Sequence, residues 1–501
     1  MVNEPVEKKI FANCIDPEEM RVAIVENGRL VELFVDRLWD SQRTGDIYKA
    51  RVDSVLPGMN AAFVDLGQGR NAFLYLAEVK SMKIEKGQEI VVQISRAARK
   101  GKGARVTTRI SLPGRYLVLV PGGNDVGVSR KIASEEREHL RAIGRRIRPE
   151  GFGLIVRTAA VGTDEEFLLK DVSELLSTWK EIEHEASRQN APCLLYQDMG
   201  LLGKVLRDEL DEFVTEIVTD SEEEFYLAQK YVERFCNKES LPHVSLHRGK
   251  IPLFEMYGIE NELSTALDRK VWLGSGAYLV IDQTEALTVI DVNTGKYVGD
   301  KDLRRTVLKT NIEAAEEIAR QLRLRAIGGI VVVDFIDMGN EEDQHALLER
   351  LEEVFKNDRC KAKVFGLTQL GLVELTRKRA RSDMRATFTR GCPFCGGTGQ
   401  VLREEAISAS IKRFLRKVVK SSAPEAILLE ASSAIADFIH GSIQKQWEEQ
   451  MGIKLFIMPN SKMAWDKYRI EAQGNLQQVL HRVNLLKERE AGCVVYRTDP
   501  A

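Results

Sequence analysis

The sequence predicts a multidomain protein built of α/β and α+β units, and three observations carry that prediction. Its 501 residues exceed the size, about 250–300 residues, at which one hydrophobic core stops growing. Between Gly45 and Leu76 short strands of alternating apolar and polar residues are punctuated by glycines, a period-two pattern with tight turns. Between about 273 and 335 the pattern changes to strand, long amphipathic helix and apolar strand, which needs a different sheet. A content of 44% hydrophobic and 30% charged residues with 13 prolines and no biased repeat suits folded units throughout, with looseness expected only at the ends.

Charge and cysteine usage narrow the function classes. The 73 basic and 75 acidic residues nearly cancel, for a formal charge of −2, which excludes a uniformly basic nucleic-acid coat but leaves room for local patches. No run approaches the roughly 18 apolar residues of a membrane span, and Glu4 and Glu7 stand where a signal peptide needs an apolar core. No membrane partner and a cytoplasmic location are therefore expected. Seven cysteines, an odd number thinly scattered, do not make a disulfide framework, so a closely spaced pair reads better as metal ligands. Cys392 and Cys395 are such a pair.

Each element follows from its local pattern. Ile47–Val52, Ala61–Asp65, Asn71–Leu76 and Gln88–Ile94 read as strands of a small OB-type barrel, a fold that often binds oligonucleotides. Ser95 to Arg109 then carries Arg96, Arg99, Lys100, Lys102, Arg105 and Arg109 without an acid, either a solvated loop or a binding patch. Tyr116–Val120 and Gly153–Thr158 read as strands around a charged helix from Ser134 to Arg148. Helical patterns rich in Glu and Lys run from Asp164 to about Asn237, as scaffold. Ala277–Asp282 and Ala286–Val292 read as buried strands, followed by a helix from about Leu303 to Arg325 that Gly328-Gly329 should stop. Ile330–Phe335 is a continuous apolar strand, which completes a βαβ unit with parallel strands. Ile407, Ile411, Phe414, Leu415 and Val418 mark one more amphipathic helix, ahead of a small α/β tail.

The chemistry concentrates in that βαβ unit. Asp291 interrupts Thr288-Val289-Ile290-Asp291-Val292-Asn293, and Asp334 interrupts Val331-Val332-Val333-Asp334-Phe335. A lone buried charge there would be costly. Both lie toward carboxyl ends of strands, where open parallel sheets bind ligands, and neighbouring strands are about 4.8 Å apart. Two carboxylates on adjacent strands can share one hard cation. Oxygen ligands without His or Cys suit Mg²⁺, which keeps waters and can activate one against a phosphodiester; Asn293 could orient a carboxylate or that water. The alternative is that either aspartate caps a strand end or pairs with an arginine. In Arg390-Gly391-Cys392-Pro393-Phe394-Cys395-Gly396-Gly397-Thr398-Gly399 two cysteines supply half of a zinc site. No second CxxC or CxxH occurs in the chain, so the other ligands are expected from a second copy. A redox CxxC competes, but Pro-Phe between the cysteines and no helix start after them argue against it.

These residues carry a resemblance to the ribonuclease E/G family, most closely to its short ribonuclease G branch. The match runs nearly end to end. It rests on Pro57-Gly58-Met59-Asn60-Ala61-Ala62-Phe63-Val64-Asp65, Ile155-Val156-Arg157-Thr158-Ala159-Ala160, Ile290-Asp291-Val292-Asn293-Thr294-Gly295, Val333-Asp334-Phe335-Ile336-Asp337-Met338 and Cys392-Pro393-Phe394-Cys395, in that order.

The resemblance implies an S1-type OB barrel inserted in an RNase H-like scaffold, a 5′-end sensing region and a DNase I-like catalytic subdomain. Laid on this numbering, the scaffold is 1–40 and 203–268, the barrel 41–111, the sensing region 112–202, the catalytic subdomain 269–390, the zinc link 391–400 and a small domain 401–501. It implies an endoribonuclease of rRNA processing and mRNA decay that cuts single-stranded RNA to 5′-phosphate and 3′-hydroxyl ends, favouring 5′-monophosphorylated RNA. Asp291 and Asp334 would hold Mg²⁺ with Asn293 in support. Cys392 and Cys395 of two protomers would share one Zn²⁺ in a dimer, with further pairing into a tetramer left open. Phe63 and Phe73 would stack on RNA bases, where residue patterning alone leaves them as core or surface, and Lys102 would contact the RNA backbone. Arg157, Thr158 and Lys361 would form a pocket for the 5′-phosphate. Lys361 replaces an arginine of the ribonuclease E branch and loses its bidentate fork, and an arginine at a strand end can equally be paired with an acid. A second basic run, Arg377, Lys378, Arg379, Arg381, Arg385 and Arg390, would border the RNA path or form a solvated linker. The competing function is a non-catalytic RNA-binding or ribosome-associated protein, which needs the barrel but not two acids in apolar strands. Cleavage through the RNA's own 2′-hydroxyl would need acid–base histidines, and the few histidines do not cluster near these motifs.

Overall fold

The structure, a computed structural model, describes residues 7–37, 43–79, 83–98, 103–236, 241–295, 303–356, 358–379, 381–489 and 494–498. The chain divides into two units, Met1–Thr387 and Phe388–Ala501. Among the described residues no helix is long and apolar enough to cross a membrane.

In the first unit the glycine-punctuated strands close on themselves. Ile47–Leu56 pairs with Ala61–Asp65, which pairs with Ala72–Tyr75, then Arg105–Thr107, then Glu89–Arg96, and Glu89–Arg96 pairs back with Ile47–Leu56. The result is a closed five-stranded barrel consistent with an S1-like OB fold. Alternation sends Ala62, Val64, Ala72 and Leu74 inside, all fully buried, because successive side chains on a strand point to opposite faces.

A second sheet joins distant segments: Lys8–Asn13 pairs in parallel with Val214–Thr219 and antiparallel with Glu19–Glu26. The barrel is thus inserted between two parts of one sheet. The helical stretch expected from Asp164 to about Asn237 is broken by strands Cys193–Tyr196 and Val214–Thr219. The β-branched run Val214-Thr215-Glu216-Ile217-Val218-Thr219 favours extended backbone where its apolar face can be buried. The strands expected on either side of the charged helix are present as Leu117–Pro121 and Phe152–Val156, paired antiparallel.

The third sheet holds the aspartates. Its strand order is Lys270–Trp272, Tyr278–Gln283, Leu287–Asn293, Gly329–Asp334, Val373–Arg377, Lys363–Leu367. Leu287–Asn293 and Gly329–Asp334 run parallel, as expected, and the other pairings are antiparallel. Helices Leu303–Leu324 and Glu341–Phe355 supply Ala315, Ile318, Leu322, Leu347 and Leu351 to one core with Ile290, Val292, Val331 and Val333. The opposite face is open, with Val289 37% and Ile330 51% exposed. Burial of these strands on both faces, suggested by their apolar runs, is therefore corrected: the sheet is mixed, and such sheets can present one face to solvent. The Gly328-Gly329 pair also does something other than stop the helix. Ala326 takes the left-handed position with φ 53, while a Cβ on Gly328 would lie 2.9 Å from the Cα of Arg379, so the glycines allow two backbone segments to cross closely.

In the second unit Ala426–Ser432 is a buried central strand between Lys454–Asn460, parallel to it, and Tyr468–Gly474, antiparallel. Helix Glu404–Ser422 buries Ile407, Ile411 and Leu415 against this unit's core, the face its periodicity predicts.

Candidate functional site

Asp291 and Asp334 stand directly opposite one another on the parallel pair. Both are exposed because both lie on the open face, at the carboxyl ends of their strands. Asn293, two residues on and so on the same face, donates from Nδ2 to Asp291 Oδ2 at 2.8 Å. The segment after Asp334 is pinned from the core side: Asn311, fully buried on helix Leu303–Leu324, donates to Ile336 O at 2.8 Å and accepts from Ile336 N at 3.1 Å. Among the described residues no group of three or more His, Cys, Asp or Glu side chains converges as a metal cage. Two opposed carboxylates with an amide beside them form an open oxygen site, able to share one hard cation that keeps water or phosphate oxygens in its remaining positions.

On the barrel, Phe63 and Phe73 are cross-strand partners with ring centroids 5.9 Å apart in an edge-to-face arrangement. Both are half-buried, and neither belongs to the barrel's core cluster. Tyr75 extends the row, its ring 5.3 Å from that of Phe73, with the Arg105 guanidinium 5.0 Å above it. This outer aromatic row beside Arg96, Arg105 and Arg109, which line one concavity, can stack bases and meet phosphates. Tyr75 escaped the sequence reading, although its spacing of two from Phe73 places it on the same face. Lys102 lies outside the described residues.

Arg157 follows strand Phe152–Val156 and leads into the short turn Thr158–Ala160. Its fork is already engaged: Nη1 donates to Gly114 O at 2.6 Å and Nη2 to Asp208 Oδ1 at 2.5 Å. Thr158 is exposed beside it. Lys361 adopts φ 53 in a turn whose Arg359 donates to the Asp208 carbonyl, so Asp208 links that turn to Arg157. Lys131, donating to Arg359 O at 2.7 Å, is held below the usual lysine range by burial, then by the charges of Arg359 and Lys361. Burial alone would raise the Asp208 carboxyl, but Arg207 and Arg157 outweigh it and the net shift is downward. The site is a cluster of cations gathered around Asp208, with Arg359 also paired to Glu209 and Arg207 to Asp198. Asp171 underlies it, accepting from the backbone N–H of Arg115, Tyr116 and Leu117 at 3.1, 2.9 and 2.9 Å.

Comparison with known proteins settles the family. A family model described as "Ribonuclease E/G family" matches residues 111–380, more than half of the 501. Ribonuclease G of Salmonella typhimurium (strain SL1344) is 40% identical over 451 residues, covering 85% of this chain and 91% of the relative. The chain belongs to the ribonuclease E/G family. Ribonuclease G of Escherichia coli (strain K12) is 39% identical over 447 residues, again 85% and 91%, which sets the chain in the ribonuclease G branch. Ribonuclease E of the same strain is 35% identical over 485 residues, 92% of this chain but 46% of that protein.

A second model, "RNase E/G, Thioredoxin-like domain", matches residues 391–473 and takes in the cysteine pair. Both cysteines are free, Cys392 exposed and Cys395 half-buried, in a turn well before the next helix begins at Glu404. Gly399 N–H donates to Cys395 Sγ at 3.3 Å. Backbone N–H groups of Gly399 and Gly397 hold the Cys395 thiol below its ordinary value, so the glycine-rich turn favours the thiolate form. Three arginines of the second basic run are engaged within the first unit. Arg377 is buried on Asp358 at 2.6 Å and Ile327 O at 2.8 Å, Arg379 donates to Gly328 O at 2.9 Å, and Arg381 reaches Glu32 at 3.2 Å with its guanidinium 4.2 Å from the Phe34 ring centroid. These three arginines tie first-unit segments together, Arg377 from a buried position and Arg379 from an exposed one.

Proposed function

We propose that this chain is an endoribonuclease that hydrolyses single-stranded RNA with Mg²⁺ held by Asp291 and Asp334, in rRNA processing and mRNA decay. The observation that carries the reading is the register pairing of the two aspartates at the carboxyl ends of adjacent parallel strands, on the face left open. Family membership supports the same chemistry, since the relatives bear the names Ribonuclease G and Ribonuclease E.

An all-oxygen pair with room for further ligands fits magnesium better than zinc or calcium. When bound, Mg²⁺ would lower the pKa of a coordinated water and offset charge on the phosphate. The chain's own part is to hold that position: Asn293 keeps Asp291 Oδ2 engaged, and Asn311 fixes the turn that follows Asp334. Hydrolysis leaves a 5′-phosphate and a 3′-hydroxyl. Phe63, Phe73 and Lys102 hold the RNA on the barrel. Arg157, Thr158 and Lys361 receive a 5′-monophosphate, with Arg157 exchanging Asp208 for the incoming anion. Cys392 and Cys395 of two protomers bind one Zn²⁺ and so form a dimer. The assignment of 41–111 as barrel, 112–202 as 5′-end region and 269–390 as catalytic subdomain between scaffold segments 1–40 and 203–268 follows the same reading.

The test is cleavage of a 5′-monophosphorylated single-stranded RNA by the wild type and by Asp291→Asn and Asp334→Asn, with Mg²⁺ or with EDTA. Metal-dependent cutting that disappears in both variants while RNA binding persists supports the proposal. Wild-type binding without cutting favours an RNA-binding protein instead.

A further inference from the structure

The open face of the aspartate sheet carries a second chemical feature outside the family motifs. Register across four strands aligns Lys270 with Val280, Val280 with Asp291, and Asp291 with Asp334. The neighbouring row aligns Trp272 with Tyr278 and Tyr278 with Asn293. Leu279, Ile281, Ile290 and Val292 take the core face, so alternation puts Lys270, Trp272, Tyr278, Asp291 and Asn293 together on the other. Trp272 is 58% exposed, unusual for a side chain that is normally well buried. Its ring centroid lies 5.3 Å from that of Tyr278, and Lys270 Nζ sits 3.9 Å and 3.5 Å from the two centroids. Among the described residues Lys270 makes no ion pair.

We propose that Trp272 and Tyr278 seat the base of a nucleotide flanking the scissile phosphate, with the Lys270 ammonium placed for the adjoining phosphate. Adjacent strands lie about 4.8 Å apart, so Tyr278 is one strand spacing from the Asp291 strand and Trp272 two, within the span of one nucleotide. An exposed indole meets any base through its π-face. The Lys270 contact holds both rings by cation–π attraction and brings positive charge to the face of Asp291 and Asp334, where the nearer Asp282 is already paired with Arg269 at 2.5 and 2.6 Å. The seat therefore fixes where the chain is cut by holding a base, with tolerance for which base it is. This rests on Asp291 and Asp334 being the cleavage site.

The experiment uses the full chain and a 5′-monophosphorylated RNA oligonucleotide with one mapped cut. Each nucleotide near the cut is replaced in turn by an abasic one, and single-turnover rates are measured for wild type, Trp272→Ala, Tyr278→Ala and Trp272→Phe. The wild type is expected to slow about 5- to 100-fold at one flanking position, the range for loss of a stacked base. Trp272→Ala should slow by a similar factor on intact RNA and be indifferent to the abasic change at that position alone, and Trp272→Phe should recover most of the rate. Alanine variants that cut intact RNA at the wild-type rate, or that keep the full abasic penalty at that position, overturn the inference and leave the nuclease reading standing. A wild type that does not cut intact RNA overturns both.

Discussion

At the scale of single residues, Asp291→Asn separates holding RNA from cutting it. The substitution keeps shape and removes the charge that a cation needs, and metal stabilisation of a phosphoryl transition state is worth several kcal/mol, so cleavage should fall on the order of a thousandfold. RNA affinity, which the proposed function places on the barrel, should stay within a factor of about two by gel shift, since no base-stacking platform is removed. The aspartates were legible in the sequence because a carboxylate inside an apolar run contradicts its surroundings. The partner of Arg157 was not, since Asp208 lies 51 residues away and only the fold joins them. That partner yields its own test. On the proposed role of Arg157, Asp208→Asn removes the anion that would compete with a 5′-phosphate, and the ratio of cleavage rates for 5′-monophosphate over 5′-hydroxyl RNA should rise several-fold, as an ionic hydrogen bond of roughly 1.5–3 kcal/mol no longer opposes binding. A ratio that falls would instead make Asp208 the group that aims Arg157. The Asp208 carboxyl is depressed in the folded chain. Its contribution to stability is therefore complete above the ordinary aspartate value, about 3.9, and is lost as the pH falls through the lower folded value.

At the scale of elements, strands and helices carry the site on backbone contacts that the sequence did not advertise. Asn311 looks like one more polar residue on a helix, yet it is fully buried and satisfies both backbone groups of Ile336. Asn311→Ala leaves the half-buried N–H and C=O of Ile336 without that partner, at up to about 1–3 kcal/mol for such a loss. The turn after Asp334 should loosen, with faster amide exchange at Ile336 and a cleavage rate reduced about tenfold at unchanged RNA affinity, since 1.36 kcal/mol of misplacement is a factor of ten. Unchanged exchange at Ile336 would show that Asn311 does not hold this turn. Asp171 does similar work for the strand Leu117–Pro121, and burial raises its carboxyl even though three N–H groups donate to it. A Cβ on Gly114 would lie 2.4 Å from Asp171 Oδ1, so Gly114→Ala must displace the carboxylate. The amides of Arg115, Tyr116 and Leu117 should then exchange faster, a local readout of the same loss. Periodicity found the helices and barrel strands because it reports burial of one face. It could not find the open face of the aspartate sheet, because apolar residues on exposed and buried faces look alike in a run such as Ile330-Val331-Val332-Val333.

At the scale of the whole molecule, the cysteine pair turns a local motif into a statement about assembly. Two thiolates cannot complete the four-ligand shell that structural zinc takes, and the chain has no second CxxC or CxxH to supply the rest. Among the described residues no group of three or more His, Cys, Asp or Glu side chains forms a metal site, in keeping with the proposal that a zinc on Cys392 and Cys395 takes its remaining protein ligands from another chain. The proposal predicts a stoichiometry of one zinc for two chains, measured by elemental analysis of metal-loaded protein. Light scattering should give a multiple of twice 56.5 kDa. Chelation, or Cys392→Ser without chelation, should lower the mass and remove the zinc together, because affinity and assembly are the same equilibrium when the ligands are divided between subunits. Asp291→Asn should leave both unchanged, which separates the zinc from the cleavage metal. One zinc per chain at a mass of 56.5 kDa would mean that water or another side chain closes the shell, and the cysteines would then stiffen their own turn and join nothing.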